Sequence, residues 1–276
     1  EPLTDKLTWD NGNRYTFRLR PSTYMQVAML MDAVEASGAK RWALVYPNYE
    51  YGTSAAETFK ALLKERVPDA EIVTEQAPPL RGIDAGAVVQ AIADSAPDGI
   101  FNALFAGDLS QFVREGQTRG LFDEMPVASL LTGEPEYLDP LGADTPTGWV
   151  VTGYPWYGIE TPAHDAFLTA YKDRFDTYPR LGSVVGYSTI KSIAAGIEKA
   201  GSTDTEALIA AFEGLEVETP FGEITYRPSD HQSTMGAYVG NLDLVDGTGR
   251  MADFTYVAGE DVLPSPEDAA ARRPAD

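Results

Sequence analysis

One local pattern occurs three times in the sequence: an apolar run of strand length stops at a loop of small or polar residues. The pattern is found at 41–52 (RWALVYPNYEYG), at 101–108 (FNALFAGD) and at 127–135 (VASLLTGEP). Strands that alternate with helices in this way predict a parallel sheet with right-handed crossovers. The carboxyl ends of parallel strands lie along one edge of a sheet, where ligands bind in open α/β folds. We therefore expect the three loops to line one wall of a binding cleft.

The first and third loops carry side chains that suit a small amphipathic ligand. Tyr49 and Tyr51 follow the first strand, and Tyr51 offers a flat apolar face together with a hydroxyl group. The structural alternative for Tyr51 is a rim tyrosine that packs on the helix beyond Gly52. Glu134 could accept hydrogen bonds from a ligand ammonium group, or it could be a solvated or helix-capping carboxylate. Both alternatives stay open at this stage.

Other candidates lie in the second loop and after the third strand. Phe105 either walls the pocket or belongs to the core at a strand end. Asp108 is predicted to cap the helix 109–118 rather than to contact a ligand. Tyr154 and Trp156 follow the strand near 150 in a Pro/Gly/aromatic turn, where they either cover a ligand or pack against a hinge.

The hydrophobic periodicity along the chain predicts the order of the helices and strands. Helices are predicted at 23–37, 55–66, 84–95, 109–118, 162–175, 183–200 and 205–213, and strands at 42–46, 71–74, 100–105 and 127–131. Capping boxes are predicted at Ser54 with Glu57 and at Thr203 with Glu206. From Phe221 onward, alternating segments with Gly turns predict antiparallel strands.

Composition excludes several classes of function. The chain has 42 acidic and 21 basic residues and a formal net charge of −21, a field that repels nucleic acid and anionic membrane surfaces. It contains no cysteine, so thiolate catalysis, disulfides and Cys-based zinc sites are excluded. Hydrolase, zinc-protease and Walker motifs are absent. His164 is predicted to be exposed at a helix start, and His231 to lie in a loop. We therefore predict a protein that is not an enzyme and has no cofactor and no metal.

Several segments, in this order along the chain, resemble a known family. They are YTFRLRPSTYMQ, RWALVYPNYEYG, APDGIFNALFAGDL, VREGQTRGLF and IEKAGSTDTEALIAAFEGL. They are similar to the type I periplasmic binding proteins, and more narrowly to the branched-chain amino-acid-type substrate-binding components of ABC importers. The likeness covers nearly the whole chain, and it rests on the order of the segments rather than on any single motif.

The resemblance implies an α/β fold of two Rossmann-like lobes joined by a three-strand hinge. It assigns 1–21 and 153–227 to the amino-terminal lobe, 22–152 and 228–262 to the carboxy-terminal lobe, and 263–276 to a surface tail. The amino-terminal lobe is expected to be incomplete, because family members carry a first βαβα segment before the point that corresponds to the start of this chain.

The resemblance also implies a function and a site. A solute-binding protein of this kind captures a branched-chain or other amino acid, or an aromatic carboxylate, between its lobes by hinge closure. It then delivers that ligand to a membrane-embedded ABC permease. The expected protein is exported to the periplasm and monomeric; a ligand-sensing regulatory module of the same fold is the alternative. The ligand-binding residues predicted from the loops and the family together are Tyr51, Glu134, Phe105, Tyr49, Tyr154 and Trp156.

Overall fold

The computed structural model describes residues 2–274, and these form two compact units. We call the first the sheet unit; it consists of Gln26–Pro155 and Tyr238–Tyr256. The second, the helical unit, consists of the chain up to Met25, Trp156–Ala237 and the chain from Val257 onward. Each unit is therefore discontinuous in sequence.

The helices and strands alternate over the first half of the chain. The helices are α1 (Thr23–Ala36), α2 (Glu50–Arg66), α3 (Ala85–Asp94), α4 (Ala106–Thr118), α5 (Pro135–Leu141), α6 (Pro162–Phe175), α7 (Leu181–Ala200), α8 (Thr205–Phe212), α9 (Gly259–Val262) and α10 (Pro266–Ala271). The strands are β1 (Arg41–Val45), β2 (Glu71–Gln76), β3 (Gly99–Asn102), β4 (Val127–Gly133), β5 (Val150–Gly153), β6 (Glu216–Thr219), β7 (Gly222–Thr225), β8 (Ala237–Val245) and β9 (Thr248–Val257).

The sheet unit is built on seven strands in the order β2-β1-β3-β4-β5-β8-β9. The first five are parallel, and β8 then pairs with β5 in the antiparallel direction. Every residue of β3 and β4 is buried, which indicates that both faces of the sheet are covered. On one part of the core, Trp42 meets Phe59, whose ring stacks on Phe101 at 4.2 Å. The predicted α/β fold with a mainly parallel sheet is confirmed.

The helical unit contains α6, α7 and α8 together with a two-stranded antiparallel sheet of β6 and β7. Its amino-terminal segment joins it through a bridge between Arg18 and Gln232. The chain returns to this unit at its end, where Ala269 of α10 is fully buried and the Arg272 guanidinium lies 4.6 Å from the Trp9 ring. Within residues 2–274, no helix has both the length and the apolar character needed to cross a membrane.

The division of the chain differs from the predicted one after residue 227. Residues 226–237 stay with the helical unit because Tyr226 and Ser233 form a bridge within it. Residues 238–256 belong to the sheet unit because β8 extends the sheet at β5. Within the predicted surface tail 263–276, Ala269 of α10 is buried and the other five residues of that helix are exposed; residues 275 and 276, at the end of that prediction, lie outside the described residues.

Three helix caps were predicted wrongly. Helix α2 begins at Glu50, with Tyr49 as its N-cap and no side-chain cap, so the box of Ser54 with Glu57 does not form. Helix α8 is capped by Asp204, whose carboxylate accepts from the N–H groups of Glu206 and Ala207, and not by Thr203. The cap of α2 thus lies five residues before the predicted Ser54, and the cap of α8 lies one residue after the predicted Thr203.

The third error concerns Asp108. Helix α4 starts at Ala106, two residues before Asp108, so Asp108 is not its N-cap. The Asp108 carboxylate is buried and accepts hydrogen bonds from the N–H groups of Arg81 and Ile83. It therefore connects the loop before α3 to α4.

Both histidines are buried in the helical unit, contrary to the expected exposure of His164. The His164 side chain lies beside the Phe167 ring on α6, whose cap Thr161 accepts from the His164 N–H. The His231 ring stacks on Phe17 at 3.9 Å, and the residue has a left-handed backbone with φ of 57°.

The two buried histidines predict that acid weakens the fold. Burial lowers the pKa of His164, and burial together with Arg273 lowers the pKa of His231, against the smaller opposing effect of Glu213. The unfolded chain then binds protons more readily, so the free energy of unfolding falls as the pH drops below the ordinary histidine pKa of 6.5. Urea denaturation at pH 7.5 and at pH 5.5 measures this loss.

The variant His231→Asn isolates one histidine, because asparagine tolerates a left-handed backbone. We expect its urea midpoint to change less between the two pH values than that of the unmodified chain. Equal changes in the two proteins would contradict a contribution from His231.

Candidate functional site

Four aromatic side chains meet at the carboxyl edge of the parallel strands in the sheet unit. Tyr49 and Tyr51 come from the loop and helix after β1, Phe105 from the loop after β3, and Tyr137 from the helix after β4. The ring centroids of Tyr49, Tyr51 and Phe105 lie 5.9–6.3 Å from one another. Tyr137 lies 6.4 Å from Phe105. We call these four rings the aromatic cluster; their spacing is that of favourable edge and tilted pairs.

The loop after β1 is tight because a glycine lets it fold back on the helix. A Cβ atom on Gly52 would lie 2.0 Å from the carbonyl oxygen of Pro47, so only glycine permits this approach. The approach places Tyr51 in the first turn of α2, where it is buried, while Tyr49 at the N-cap remains partly exposed. Burial raises the pKa of Tyr49, so its phenol remains protonated and can donate a hydrogen bond at neutral pH.

The loop after β3 is held by Asn102, which is fully buried. Its Oδ1 accepts from the Leu104 N–H at 3.1 Å, and its Nδ2 donates to Ser129 Oγ at 2.7 Å. The chain then turns at Ala106, which has a left-handed φ of 52° although it is not glycine. Such strained residues cluster at binding sites, and here the turn directs Phe105 toward the cluster.

A bulge lies in the second half of β4, just before the third loop. The register between β4 and β5 shifts between Ser129 and Gly133, and Leu131 has a left-handed φ of 66°. The Leu131 N–H donates to Thr152 Oγ1 at 2.9 Å, and Thr152 Oγ1 donates in turn to Gln26 Oε1 at 3.1 Å. These side-chain bonds replace the ladder that the bulge interrupts.

Glu134 follows the bulge as the N-cap of α5, and its side chain is 3% exposed. Its N–H donates to the Leu131 carbonyl at 2.9 Å, and its carbonyl accepts from the Tyr137 N–H at 2.9 Å. The same residue therefore fixes the start of the helix that carries Tyr137. A buried acidic residue thus stands at the strand edge, three residues before an aromatic residue of the cluster.

The structure brings three of the six predicted site residues into one cluster: Tyr49, Tyr51 and Phe105. Glu134 is buried at the start of α5, and Tyr154 is fully buried after β5, where its N–H donates to the Gly133 carbonyl. Trp156 belongs to the helical unit. Its ring stacks on Tyr178 at 4.6 Å, and Lys172 Nζ lies 4.6 Å from the ring centre.

Tyr137 was missed by the sequence analysis, because α5 itself was not predicted. The helix is short, and Pro140 lies inside it, which hides its periodicity. A signal was nevertheless present: Pro135 in the first turn after an acidic residue is typical of a helix start. That start would have placed Tyr137 on the first turn, facing the same edge as the other loops.

The arrangement has the chemistry of a binding site for a small molecule. Aromatic rings bind an apolar or aromatic body, and a carboxylate binds an ammonium or hydroxyl donor. Among residues 2–274, no group of three or more histidine and acidic side chains could hold a metal ion. The site is thus a surface of four rings and one buried carboxylate.

Comparison with known proteins identifies the family. The family model described as periplasmic binding protein matches residues 3–249, so the chain belongs to the periplasmic binding protein family. The family consists of binding proteins rather than enzymes, in agreement with the sequence analysis. The predicted resemblance to the branched-chain amino-acid type of ABC importer component is confirmed.

The relatives are distant and longer than this chain. A Leu/Ile/Val-binding protein homologue of Brucella abortus is 22% identical over 233 residues, which cover 78% of this chain and 57% of the relative. The chain thus spans little more than half the length of that relative.

Two solved structures share the fold. The leucine-, isoleucine-, valine-, threonine- and alanine-binding protein of Brucella ovis has a TM-score of 0.81 at 21% identity, covering 95% of this chain and 69% of that one. A solute-binding protein of Rhodopseudomonas palustris in complex with 3,4-dihydroxybenzoic acid has a TM-score of 0.81 at 24% identity. The match covers 96% of this chain and 72% of that one.

Proposed function

We propose that the protein is the solute-binding component of an ABC importer and that its ligand contacts the aromatic cluster and Glu134. The observation that carries the proposal is the cluster itself, in which three successive strand-end loops direct rings to one place. Family membership supports the transport role. The permease partner and export to the periplasm belong to the same proposal, because the chain spans only part of its longer relatives.

The buried carboxylate of Glu134 favours a ligand with an ammonium group. Glu134 stands at the start of α5, the helix that carries Tyr137, and a carboxylate forms a charge-assisted hydrogen bond with a ligand ammonium group. The net charge of −21 also repels a free anion during approach, whereas a zwitterion is neutral. The proposed ligand is therefore an amino acid whose apolar or aromatic side chain lies against the rings.

A hydroxylated aromatic acid is the second candidate. The four rings suit a flat ligand, and the Rhodopseudomonas palustris relative was solved with 3,4-dihydroxybenzoic acid. In that case Glu134 would accept a hydrogen bond from a phenol hydroxyl and not from an ammonium group. The two candidates differ in what they require of residue 134.

The variant Glu134→Gln separates these ligands. Glutamine keeps an oxygen acceptor but loses the charge. We expect Leu, Ile, Val or Phe to lose at least tenfold in affinity, because a charge-assisted bond is about twice as strong as a neutral one. Calorimetric titration of the variant and of the unmodified chain with these amino acids and with 4-hydroxybenzoate measures the loss.

The matched control is Glu136→Gln, which makes the same substitution two residues along α5 at a half-buried position. Its affinity should equal that of the unmodified chain. If 4-hydroxybenzoate binds and Glu134→Gln leaves its affinity within threefold, the aromatic-acid candidate replaces the amino-acid one. If none of these ligands binds either the chain or its variants, the proposed site is wrong.

A further inference from the structure

The buried strands β3 and β4 change from apolar to polar side chains at the end next to the candidate site. Their first two cross-strand pairs, residues 100–101 with 127–128, are apolar, whereas the last pair is Asn102 with Ser129. Both polar residues are 0% exposed. A buried polar side chain is costly unless it is hydrogen-bonded, so the geometry at this end of the two strands depends on the hydrogen bonds that the pair makes.

These hydrogen bonds form one directed chain. Because Asn102 Oδ1 accepts from the Leu104 N–H, the amide can donate only through Nδ2, which lies 2.7 Å from Ser129 Oγ. The Ser129 hydroxyl in turn lies 2.6 Å from Thr132 Oγ1. Since Ser129 Oγ accepts from the amide, its hydrogen is directed to Thr132, and Thr132 Oγ1 donates to the Leu130 carbonyl at 3.4 Å. We call Asn102, Ser129 and Thr132 the buried polar chain.

The buried polar chain joins two of the loops that carry site residues. Its first end holds the N–H of Leu104, the residue before Phe105. Its other end, Thr132, lies in the bulge of β4 and follows Leu131, the left-handed residue whose carbonyl accepts from the Glu134 N–H. The chain therefore connects the backbone that precedes Phe105 with the backbone that precedes Glu134, and all of its members belong to the sheet unit.

A buried chain of this kind responds as a whole when one member is lost. Hydrogen bonds in a buried network strengthen one another, and a donor or acceptor left without its partner is costly. Without Ser129 Oγ, the Asn102 amide loses its acceptor and the Thr132 hydroxyl loses its donor. Without Thr132 Oγ1, the Ser129 hydroxyl loses the acceptor that orients it toward β4. A change at either end of the chain should therefore alter the loop at the other end.

We propose that Ser129 is a positioning residue that couples Phe105 to Glu134, so that the aromatic and the acidic contact to the ligand are set in place together. It acts through Asn102 on one side and through Thr132 on the other. The coupling of the two loops rests on the structure of the sheet unit, and its effect on affinity rests on the proposed function. Ligand affinity then depends on a serine that stands in the strand and not in a loop of the site.

The first test needs no ligand. Thr132→Val keeps the branched shape of the side chain and removes its hydroxyl group. We expect the amide of Leu104, which bonds to Asn102 and not to Thr132, to exchange with solvent about threefold or more faster in this variant. Residue-by-residue hydrogen exchange followed by NMR measures the change. Ser129→Ala should accelerate exchange at both Leu104 and Glu134. An unchanged rate at Leu104 in Thr132→Val would overturn the proposal.

Thr145→Val is the matched control. It makes the same substitution at another buried threonine of the sheet unit, whose Oγ1 donates to the Gly142 carbonyl at 2.8 Å. It should lower the urea midpoint as Thr132→Val does, because each loses one buried hydrogen bond, but it should leave exchange at Leu104 and Glu134 unchanged. Equal acceleration in the control would assign the effect to overall stability and would refute the coupling.

The second test measures the coupling in ligand binding. Phe105→Leu and Glu134→Gln are made singly and together, in the unmodified chain and in Ser129→Ala, and each protein is titrated with leucine and with 4-hydroxybenzoate. In the unmodified chain, the loss of affinity in the double variant should differ about threefold or more from the product of the single losses. In Ser129→Ala it should equal that product within about twofold. The same departure in both backgrounds would mean that the ligand itself transmits the coupling, and the positioning role would be wrong.

The two tests separate the positioning role from the proposed function. If neither leucine nor 4-hydroxybenzoate binds, the proposed function fails, and the exchange rate of the Leu104 amide still decides whether the two loops are coupled. If a ligand binds and Thr132→Val leaves that rate unchanged, the positioning role of Ser129 fails while the proposed function stands.

Discussion

Replacing Gly153 by alanine should destabilise the sheet unit by about 3 kcal/mol. Gly153 ends β5 opposite Gly133, and a Cβ atom there would lie 2.3 Å from the Gly133 carbonyl carbon. Backbone cannot rotate away as a flexible side chain can, so the strands must separate. Because Glu134 follows Gly133 directly, the same change should also weaken ligand binding. Urea denaturation and calorimetric titration measure the two effects.

Gly107→Ala is the matched control for this glycine. Gly107 lies in α4 with nothing within 4 Å of the position of a Cβ atom, and alanine is favoured over glycine in a helix by about 1 kcal/mol. The control should be neutral or slightly stabilising. A Gly153→Ala protein with an unchanged urea midpoint would show that β4 and β5 are farther apart than described.

Arg18→Met should destabilise the helical unit by about 3–5 kcal/mol. The guanidinium is 4% exposed; it donates to the Thr4 carbonyl at 2.6 Å and to Thr8 Oγ1 at 2.9 Å. Burial lowers its pKa to about 10, against the attraction of Asp5 and Asp230, so it stays charged at neutral pH. Methionine fills much of the volume but leaves these acceptors without their donor and Asp5 without this cation, whereas Asp230 keeps its ion pair with Arg227.

The control for Arg18 is Arg14→Met, which removes an exposed guanidinium that pairs with Glu206. Surface ion pairs contribute about 0–1 kcal/mol, so this variant should unfold at nearly the same urea concentration as the unmodified chain. If the two variants lost similar amounts of unfolding free energy, the burial of the Arg18 guanidinium would not make it more stabilising than an exposed one.

The sequence was sufficient to predict the sheet and the positions of the site loops, because both depend on local patterns. The strand predicted at 42–46 is β1, which ends at Val45, and the one predicted at 100–105 is β3, which ends earlier, at Asn102. The loops after them met at one edge, as parallel strands require. Tyr49, Tyr51 and Phe105 could therefore be predicted to lie together. Their environment could not: that Glu134 is buried follows from the bulge at Leu131, which leaves no mark in the sequence.

The errors have a common physical origin in tertiary contacts. Asp108 has the sequence position of a helix cap, but backbone N–H groups of the loop before α3 bind its carboxylate. His164 has the position of an exposed residue near a helix start, but the fold covers it. In each case local preference is weaker than a contact with a residue that is distant in sequence.

The antiparallel strand β8 has a consequence for synthesis of the protein. It pairs with β5 along Val150–Gly153, yet it is translated more than eighty residues later, after the whole of α6, α7 and α8. A nascent chain therefore exposes the β5 edge to solvent and to other chains until the ribosome has passed β8 and β9. Unpaired edges are sites of aggregation, so we expect chaperones that shield nascent strands to raise the yield of this protein, and an early stop codon between 153 and 237 to give insoluble product.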